Sequence, residues 1–367
     1  MSLNIAYLAQ GKLYLKQGNK AVREIESEFG QSVQERRLQI ERRQAMRNRG
    51  IQNMMGPSSA QMAEQPSEAV VPIAITSICR LEQGKLIYSL ESAELGGLFS
   101  YDPVNQSEQR LFHNTEFHVG DLDFNPKHHL LTCTKTYPTG IANIATLDPS
   151  SHRPHDLTEG DSVDSAPRWI RHKEKALIYQ SAGVRRDSQG FVIDRAPMAI
   201  VELDFKQQDT VTVVEDPKFD LLGPQSTAEG WIYYIRRPYK SFRGGFNLKQ
   251  LLKDLVLLPF RLAYSFFQLF NVFSQMMTGK PLINAATRKP QERQPIRTLG
   301  GLFLPENLPK KHAGEADAPA LVPATWQLVR QGVDGEPEVL AEHVLSYDLA
   351  EDGSVVYTNG SGIYRIE

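Results

Sequence analysis

The chain has 367 residues, of which 41% are hydrophobic and 23% charged, and its formal net charge is -2. Both fractions lie close to the globular average, so the composition excludes a mainly disordered chain. The near balance of 41 basic and 43 acidic residues provides no global field that would draw the protein to nucleic acid. We therefore expect a folded protein with one large core or two smaller ones.

The first segment of the chain, MSLNIAYLAQGKLYLKQ, shows no feature of a signal peptide. It lacks a basic start, an uninterrupted apolar stretch and a small-residue cleavage site. The two cysteines of the whole chain, Cys79 and Cys133, each lie in an alternating apolar segment. Because secreted proteins of this size usually carry disulfides, we expect a cytoplasmic protein with two buried, reduced thiols.

Short runs of alternating apolar and polar residues predict many β-strands and few helices. The runs recur as four-stranded units of about 45 to 50 residues, most clearly from Val119 and again from Val163. Incomplete copies at both ends of the chain bring the total to six units. Because such a unit cannot bury its faces alone, the repeat predicts an all-β protein, a six-bladed β-propeller. A five-bladed ring with a shared closing blade and a β-sandwich are the alternatives.

Several turns and strand ends carry a resemblance to a known repeat. The segments concerned are Asp123-Phe124-Asn125-Pro126, Pro167-Arg168-Trp169, the blade end from Asp156 to Asp161, and Leu349-Ala350-Glu351-Asp352-Gly353. They resemble TolB-like β-propeller repeats, in which a first strand ends in Trp-Ser-Pro-Asp-Gly and the blade closes with Leu-Thr. Among these segments, Asp-Gly is present only at Asp352-Gly353. The resemblance implies the propeller fold and leaves the function open.

The segment 27–70 falls outside the repeat and is expected to be an Arg-rich helical insertion with a linker. Residues 31–50 hold six arginines against two glutamates and no proline, which predicts a helix of about five turns. This helix is expected to lie solvated over one propeller mouth or to contact a membrane or protein. Nucleic acid is disfavoured because interleaved aromatic residues are missing. Its basic contact candidates are Arg36, Arg37, Arg42 and Arg43.

A second insertion, 237–323, interrupts one unit between its second and third strands. Eleven basic residues stand against two acidic ones between Arg236 and Arg293. The helix expected after Asn247 is first amphipathic and then apolar on most sides. The residues expected to contact a membrane or partner are Leu251, Leu255, Leu258, Phe260, Arg261, Leu262, Phe266, Phe267, Phe270, Phe273 and Met277. The basic residues expected to flank them are Arg236, Arg237, Lys240 and Arg243.

Residues 255–277 are long enough to cross a bilayer. Strands two and three of one blade pair side by side, however, so the chain that leaves near Pro238 must return to the same blade near Ala324. Residues 281–323 offer no second apolar span for that return. The pattern therefore predicts a docking helix, which rests in a membrane interface or packs on the propeller, a second copy or a partner subunit.

No motif in the sequence identifies a chemistry, and we assign no catalytic residue, metal or cofactor. Seven of the nine histidines fall between His113 and His172, but their spacing fits surface turns better than a metal site. Five aspartates on or beside first strands lie where they can line a channel or, more commonly, accept hydrogen bonds from turn backbone. They are Asp121, Asp123, Asp164, Asp220 and Asp348.

Two functional hypotheses follow from these patterns. The first is a non-catalytic interaction platform, a scaffold or adaptor in the cytoplasm that docks peripherally on a membrane or membrane complex through residues 246–279. Its partners would be unidentified proteins, an anionic membrane surface or a second copy of the chain. The alternative is a small-molecule-binding or hydrolytic enzyme with its site at the propeller mouth. A deep pocket with convergent polar groups and a perturbed carboxylate would favour the alternative.

Overall fold

The computed structural model describes residues 4–18, 20–55, 73–92, 95–149, 153–190, 192–207, 209–241, 298–299, 302–303, 320–332, 335–350 and 353–366. This part of the chain consists of antiparallel β-meanders and one long α-helix. Successive meanders are called units one to six below. The protein is all-β, as the alternation in the sequence predicts.

The first two units flank the helix. Unit one contains β1 (Asn4–Ala9), β2 (Lys12–Gln17) and β3 (Arg23–Ile25). Helix α1 (Glu28–Met55) follows it and covers the range 31–50 that the sequence predicts to be helical. Unit two contains β4 (Ala74–Arg80), β5 (Leu86–Glu91), β6 (Gly96–Asp102) and β7 (Ser107–Asn114).

Units three and four are joined by a single parallel bridge between Ala142 and Val163. Unit three contains β8 (His118–Asn125), β9 (Leu130–Thr136), β10 (Ala142–Leu147) and the short β11 (His155–Asp156). Unit four contains β12 (Ser162–Trp169), β13 (Ala176–Arg186), β14 (Val192–Arg195), β15 (Ala199–Asp204) and β16 (Asp209–Val214). Strand β13 is longer than its neighbours, and its far end pairs with β14 instead of β15.

Unit five is interrupted in sequence but continuous in space. It contains β17 (Phe219–Ser226), β18 (Ile232–Pro238), β21 (Gln327–Gln331) and β22 (Glu338–Ala341). In the sequence between β18 and β21, the two-residue strands β19 (Thr298–Leu299) and β20 (Leu302–Phe303) pair with each other. Unit six contains β23 (Ser346–Leu349), β24 (Val355–Thr358) and β25 (Ile363–Ile366). Strand β18 pairs directly with β21, so the chain does return to the same unit.

The apolar core lies between neighbouring units. Ile87 and Leu98 of unit two pack against Leu122, Leu131 and Cys133 of unit three, and each of these residues is at most 2% exposed. Comparable clusters join units one and two, units four and five, and units four, five and six. Each unit therefore needs its neighbours to bury its faces, which is the physical basis of the repeat.

The first strands of successive units lie side by side and are linked through a repeated irregularity. β4, β8, β12 and β17 each carry a bulge near their middle. A bulge leaves backbone groups without a ladder partner, and polar side chains of the preceding unit accept hydrogen bonds from the amides at or just past it. These contacts are Leu122 N to Ser77 Oγ (2.8 Å), Ala166 N to Asp121 Oδ2 (3.1 Å) and Gly223 N to Gln180 Oε1 (2.7 Å).

Both cysteines are free thiols. Cys133 is buried and Cys79 half-buried, in the core between units two and three. Burial raises the pKa of both thiols, that of Cys133 to about 12. A thiol with such a pKa is a poor nucleophile at neutral pH.

Helix α1 is attached to unit two through its first turn. The carboxylate of Glu108 on β7 accepts hydrogen bonds from the amides of Glu28 (3.0 Å) and Phe29 (3.2 Å), and Tyr88 donates to the same group. The Phe29 ring packs against Phe99, with 5.1 Å between centroids. A carboxylate at a helix N-terminus satisfies free amides and interacts favourably with the helix dipole. Glu108 therefore fixes where α1 begins.

Replacing Glu108 by alanine is expected to destabilise the first turn of α1 by about 1–2 kcal/mol, because two amides lose their acceptor. Hydrogen exchange of residues 28–33 should become faster, while exchange in unit five stays unchanged. The exposed Glu116 in the turn after β7 provides the control, and Glu116→Ala should leave exchange in α1 as it is. Equal protection in both variants would show that Glu108 does not hold the helix.

Candidate functional site

A cavity of about 450 Å³ opens where units two to five meet. Its walls come from the beginnings of β8 and β12, from β9, β10 and β18, and from the hairpin of β13 and β14. The volume lies within the range of small-molecule sites. Its charged and polar lining residues occupy three separate positions, which are described below as the floor, the bulge wall and the rim.

The floor is a buried cluster of Arg195, Asp220 and Arg237. Arg195 binds the Asp220 carboxylate with both terminal nitrogens, each at 2.8 Å, and Arg237 Nε donates to the same carboxylate at 3.1 Å. The amide of Met198 donates to Asp220 Oδ1 at 3.1 Å. Asp220 and Arg237 are direct cross-strand partners on β17 and β18. Strand pairing therefore places Arg237 beside Asp220, and the packing of unit four on unit five adds the guanidinium group of Arg195.

Electrostatics keep the floor ionised. Burial alone would raise the pKa of Asp220, but the hydrogen bonds and charge of Arg195 and the charge of Arg237 outweigh it, so the pKa is lowered. Burial lowers the pKa of Arg237, and Asp220 opposes this effect in part. Guanidinium groups remain protonated in proteins. The floor thus carries two positive charges and one negative charge.

Aromatic rings hold both guanidinium groups in place. The Arg237 guanidinium lies 4.9 Å from the centroid of Trp326, and that of Arg195 lies 5.7 Å from the centroid of Tyr239. Both side chains are fixed between an aromatic face and Asp220. Cation–π contacts of this kind stabilise a buried cation and restrict its rotamers.

The bulge wall contains Asp121, Thr134 and Ser165. Asp121 adopts a positive φ of 49° at the bulge of β8, and its carboxylate accepts a hydrogen bond from Thr134 Oγ1 at 2.9 Å. Burial raises the pKa of Asp121, and the Arg168 charge and these hydrogen bonds oppose the rise in part. Ser165 is buried and accepts a hydrogen bond from Gln180. These groups present carboxyl and hydroxyl oxygens toward the cavity.

The rim carries Glu91 and His118. His118 Nδ1 lies 3.6 Å from Glu91 Oε1, where β5 ends and β8 begins. Burial raises the pKa of Glu91, and the charge of His118 opposes the rise. The remaining lining is largely aliphatic and includes Val119, Val163, Val184, Val192, Ile193, Met198 and Leu222.

The hairpin of β13 and β14 forms one side of the cavity. Its turn is stabilised by Asp187, whose carboxylate accepts the Gln189 amide at 2.9 Å, and by Gly190 with a φ of 87°. The hairpin extends from unit four toward the β9–β10 turn of unit three, since a Cβ on Gly140 would lie 3.4 Å from Val192. This overhang encloses the cavity and places Arg195 at its floor.

A second charged cluster, centred on Arg168, lies beside the bulge wall. Arg168 Nη1 donates to the carbonyls of Leu122 (3.1 Å) and Pro167 (3.2 Å). Burial alone would lower the pKa of Arg168, but the carboxylates of Asp123, Asp348 and Asp121 raise it. The cluster therefore balances one buried cation against several carboxylates, as buried charges require.

The five aspartates singled out in the sequence have mostly structural partners. Four accept a backbone amide: Asp121 from Ala166, Asp123 from Trp169, Asp220 from Met198 and Asp348 from Leu349. Asp164 accepts the hydroxyl of Ser181. The backbone interpretation is therefore correct for these four, while Asp121 and Asp220 also belong to the cavity or its floor. Among the described residues, no group of three or more His, Cys, Asp or Glu is arranged to hold a metal.

The basic contact candidates occupy different environments. Arg36, Arg42 and Arg43 are exposed on α1 and Arg37 is half-buried. Arg236 is half-buried and donates to Gln327, whereas Lys240 is exposed. Arg237 is only 8% exposed and belongs to the floor, so it does not lie on the outer contact surface that the sequence suggests.

The predicted apolar contact helix falls outside the described residues. This applies to Leu251, Leu255, Leu258, Phe260, Arg261, Leu262, Phe266, Phe267, Phe270, Phe273 and Met277, and to the basic residue Arg243. Where the structure does describe the chain, no helix combines the length and hydropathy needed to cross a membrane.

Arg195, Glu91 and His118 are site residues that the sequence does not reveal. The available signal is the long hairpin of unit four, which exceeds the usual turn of the repeat and carries charged residues at both ends. Glu91 and His118 come from different units, and only the packing of those units brings them together.

Comparison of the sequence with known protein families and with curated proteins finds no match. Solved structures of similar fold include TolB from Acinetobacter baumannii, with a TM-score of 0.47 and 11% identity, and the tricorn protease, with 0.46 and 12%. These alignments cover 94% and 99% of this chain but 53% and 32% of the other chains. A putative TolB from Agrobacterium tumefaciens gives a TM-score of 0.38 at 11% identity, over 80% of each chain. The similarity concerns the fold alone.

Proposed function

We propose that the protein is a TolB-like β-propeller that binds a small molecule in the cavity where units two to five meet. The observation that supports this proposal is a cavity of about 450 Å³ in which buried charged groups converge with an aliphatic lining. Carboxylates whose pKa is raised by burial, Asp121 and Glu91, lie in the same cavity. Perturbed titratable groups in a concave site are characteristic of functional sites. Of the alternative hypothesis, a small-molecule-binding or hydrolytic enzyme, this geometry favours the binding of a small molecule.

Val192→Trp is expected to abolish binding because it fills the cavity from the β14 side. Ligand-observed NMR with a library of small molecules should show signals for the unmodified protein that disappear in this variant. Val211→Trp on the outer strand β16 is the matched control, because Val211 is 57% exposed and distant from the cavity. If both variants bind the same compounds, the cavity is not the site.

For the propeller itself we propose one domain over residues 1–367 with six blades, which correspond to the six units. The support is that the first strands of successive units lie side by side from β4 to β23. The termini form two separate three-stranded sheets in the described residues, which favours six blades over the five-bladed alternative. The segments 27–70 and 237–323 are proposed as insertions into this frame.

A second candidate function is an interaction platform. The observation that favours it is α1, which is anchored at its first turn and exposes Arg36, Arg42 and Arg43 together with Leu38, Ile40 and Met46. Between Gln31 and Met46, the described side chains of α1 are exposed or half-buried, which leaves them accessible to a partner. Docking through residues 246–279 on an anionic membrane, an unidentified protein or a second copy remains a proposal from the sequence.

Liposome co-sedimentation separates the platform hypothesis from the binding-site hypothesis. The intact chain should sediment with vesicles that contain anionic lipid, and a deletion of residues 246–279 should reduce this fraction several-fold. Neutral vesicles are the control. Equal sedimentation of the intact and deleted chains would contradict docking through this segment and would leave the cavity proposal unaffected.

A further inference from the structure

The charge at the cavity floor is not balanced by the three residues that form it. Arg195 and Arg237 together carry two positive charges, and Asp220 carries one negative charge. All three side chains are at most 10% exposed. An uncompensated buried charge is costly, so a partner of opposite charge is expected to stabilise the floor.

We infer that the cavity binds an amphiphilic anion, whose carboxylate or phosphate contacts the guanidinium groups of Arg237 and Arg195 while its apolar part packs on the aliphatic wall. This inference rests on the proposed binding function and specifies its ligand class. Guanidinium groups recognise carboxylate and phosphate oxygens through fixed, charge-assisted hydrogen bonds.

The geometry of the two arginines favours this assignment. Arg195 uses both terminal nitrogens on Asp220, whereas Arg237 uses only Nε on Asp220 and lines the cavity. Its guanidinium carbon lies 4.9 Å from the centroid of the Trp326 ring. Arg237 therefore combines a rigid position with terminal N–H groups that Asp220 does not use, which is the arrangement that an incoming anion requires.

Each of the two carboxyl groups that line the cavity lies beside a basic residue. Asp121 lies beside Arg168, and Glu91 lies 3.6 Å from His118 at the rim. Burial raises the pKa of both carboxyl groups, and the neighbouring His118 and Arg168 oppose the rise. The aliphatic side chains of Val163, Val184 and Val192 also line the cavity and provide an apolar wall for the rest of the ligand.

Isothermal titration with three matched probes tests the inference. Octanoate and octyl phosphate carry an anionic group on an eight-carbon chain, and 1-octanol is the neutral counterpart. We expect at least one anion to bind about tenfold or more tightly than octanol. Arg237→Gln should remove this preference. Arg236→Gln is the matched control, because Arg236 is the next residue on β18 and donates to Gln327 outside the cavity.

The outcomes distinguish this inference from the binding function itself. Equal binding of anions and octanol, or an unchanged preference in Arg237→Gln, overturns the inference while the cavity remains a binding site. Absence of binding by all three probes overturns the inference and counts against the cavity as well. Arg237→Lys guards against misfolding of the glutamine variant: it keeps the charge but loses the planar fork. Its preference should fall between those of the unmodified protein and Arg237→Gln, and a full preference in both variants also overturns the inference.

Discussion

Replacing Asp220 by asparagine is expected to lower the free energy of unfolding by about 3–5 kcal/mol. The carboxylate is buried and accepts hydrogen bonds from Arg195, Arg237 and the Met198 amide. An amide of the same shape keeps one acceptor oxygen but turns an N–H group toward the guanidinium groups. Two buried cations then lose their counter-charge. Urea denaturation followed by circular dichroism measures the loss.

Asp209→Asn is the matched control for this prediction. Asp209 begins the outer strand β16, is exposed, and its carboxylate accepts the amide of the next residue. The same change of chemistry should cost less than about 0.5 kcal/mol there. If Asp220→Asn costs no more than Asp209→Asn, the floor is not an important source of stability.

The pH dependence of the Asp220 contribution has a defined sign. The pKa of Asp220 in the folded protein lies below its ordinary value, while an unfolded Asp has a pKa of about 3.9. The contribution is therefore fully present above about pH 4 and is lost as the pH falls through the lowered pKa of the folded state. Denaturation at several acidic pH values should show a weaker acid dependence in Asp220→Asn.

Replacing Arg168 by glutamine is the second change for which a large effect is expected, about 3–5 kcal/mol at neutral pH. The substitution removes the cation that lies among Asp121, Asp123 and Asp348 and the donor to two backbone carbonyls. Burial already raises the pKa of Asp121 and Asp123. Without Arg168 these pKa values rise further, because the remaining carboxylates repel one another.

This prediction also has a sign that can be measured. Carboxyl groups whose pKa is raised on folding stabilise the folded state below their unfolded pKa, and this contribution is lost as the pH rises through the folded pKa. Arg168→Gln should therefore regain stability relative to the unmodified protein when the pH is lowered from neutral toward about 4. Arg80→Gln, an exposed arginine at the end of β4, should show neither the loss nor the recovery. A pH-independent loss would argue against coupling to the carboxylates.

Much of the fold follows from local patterns in the sequence. The alternation that predicts strands from Val119 and from Val163 corresponds to β8 to β10 and to β12 to β15. The helix predicted for residues 31–50 lies within α1. These elements are predictable because side chains alternate along a strand, and because the α1 segment contains good helix formers without proline.

The cavity is less predictable because its residues are brought together by packing between units. The sequence predicts mainly a turn-backbone role for Asp220. Its ion-pair partner Arg195 lies 25 residues earlier in the chain, and no residue near Asp220 in the sequence indicates this contact. Arg237 reads as one of a run of surface cations, yet the strand alternation of β18 turns it inward and leaves Arg236 half-exposed. Because successive residues of a strand point to opposite faces, a shift of one position distinguishes an outer contact residue from a residue of the cavity.

The interruption of unit five has a consequence for biosynthesis. Tyr239 to Trp326 separate β18 from its partner β21, so Arg236 pairs with a residue 91 positions later. Closing a loop of this length costs about 4 kcal/mol of chain entropy by the logarithmic estimate. A ribosome that adds about 5–20 residues per second needs roughly 5–20 s to supply β21. During that interval β18 is an unpaired edge of its hairpin with β17. We therefore expect chaperone binding or misassociation of nascent chains that end between β18 and β21.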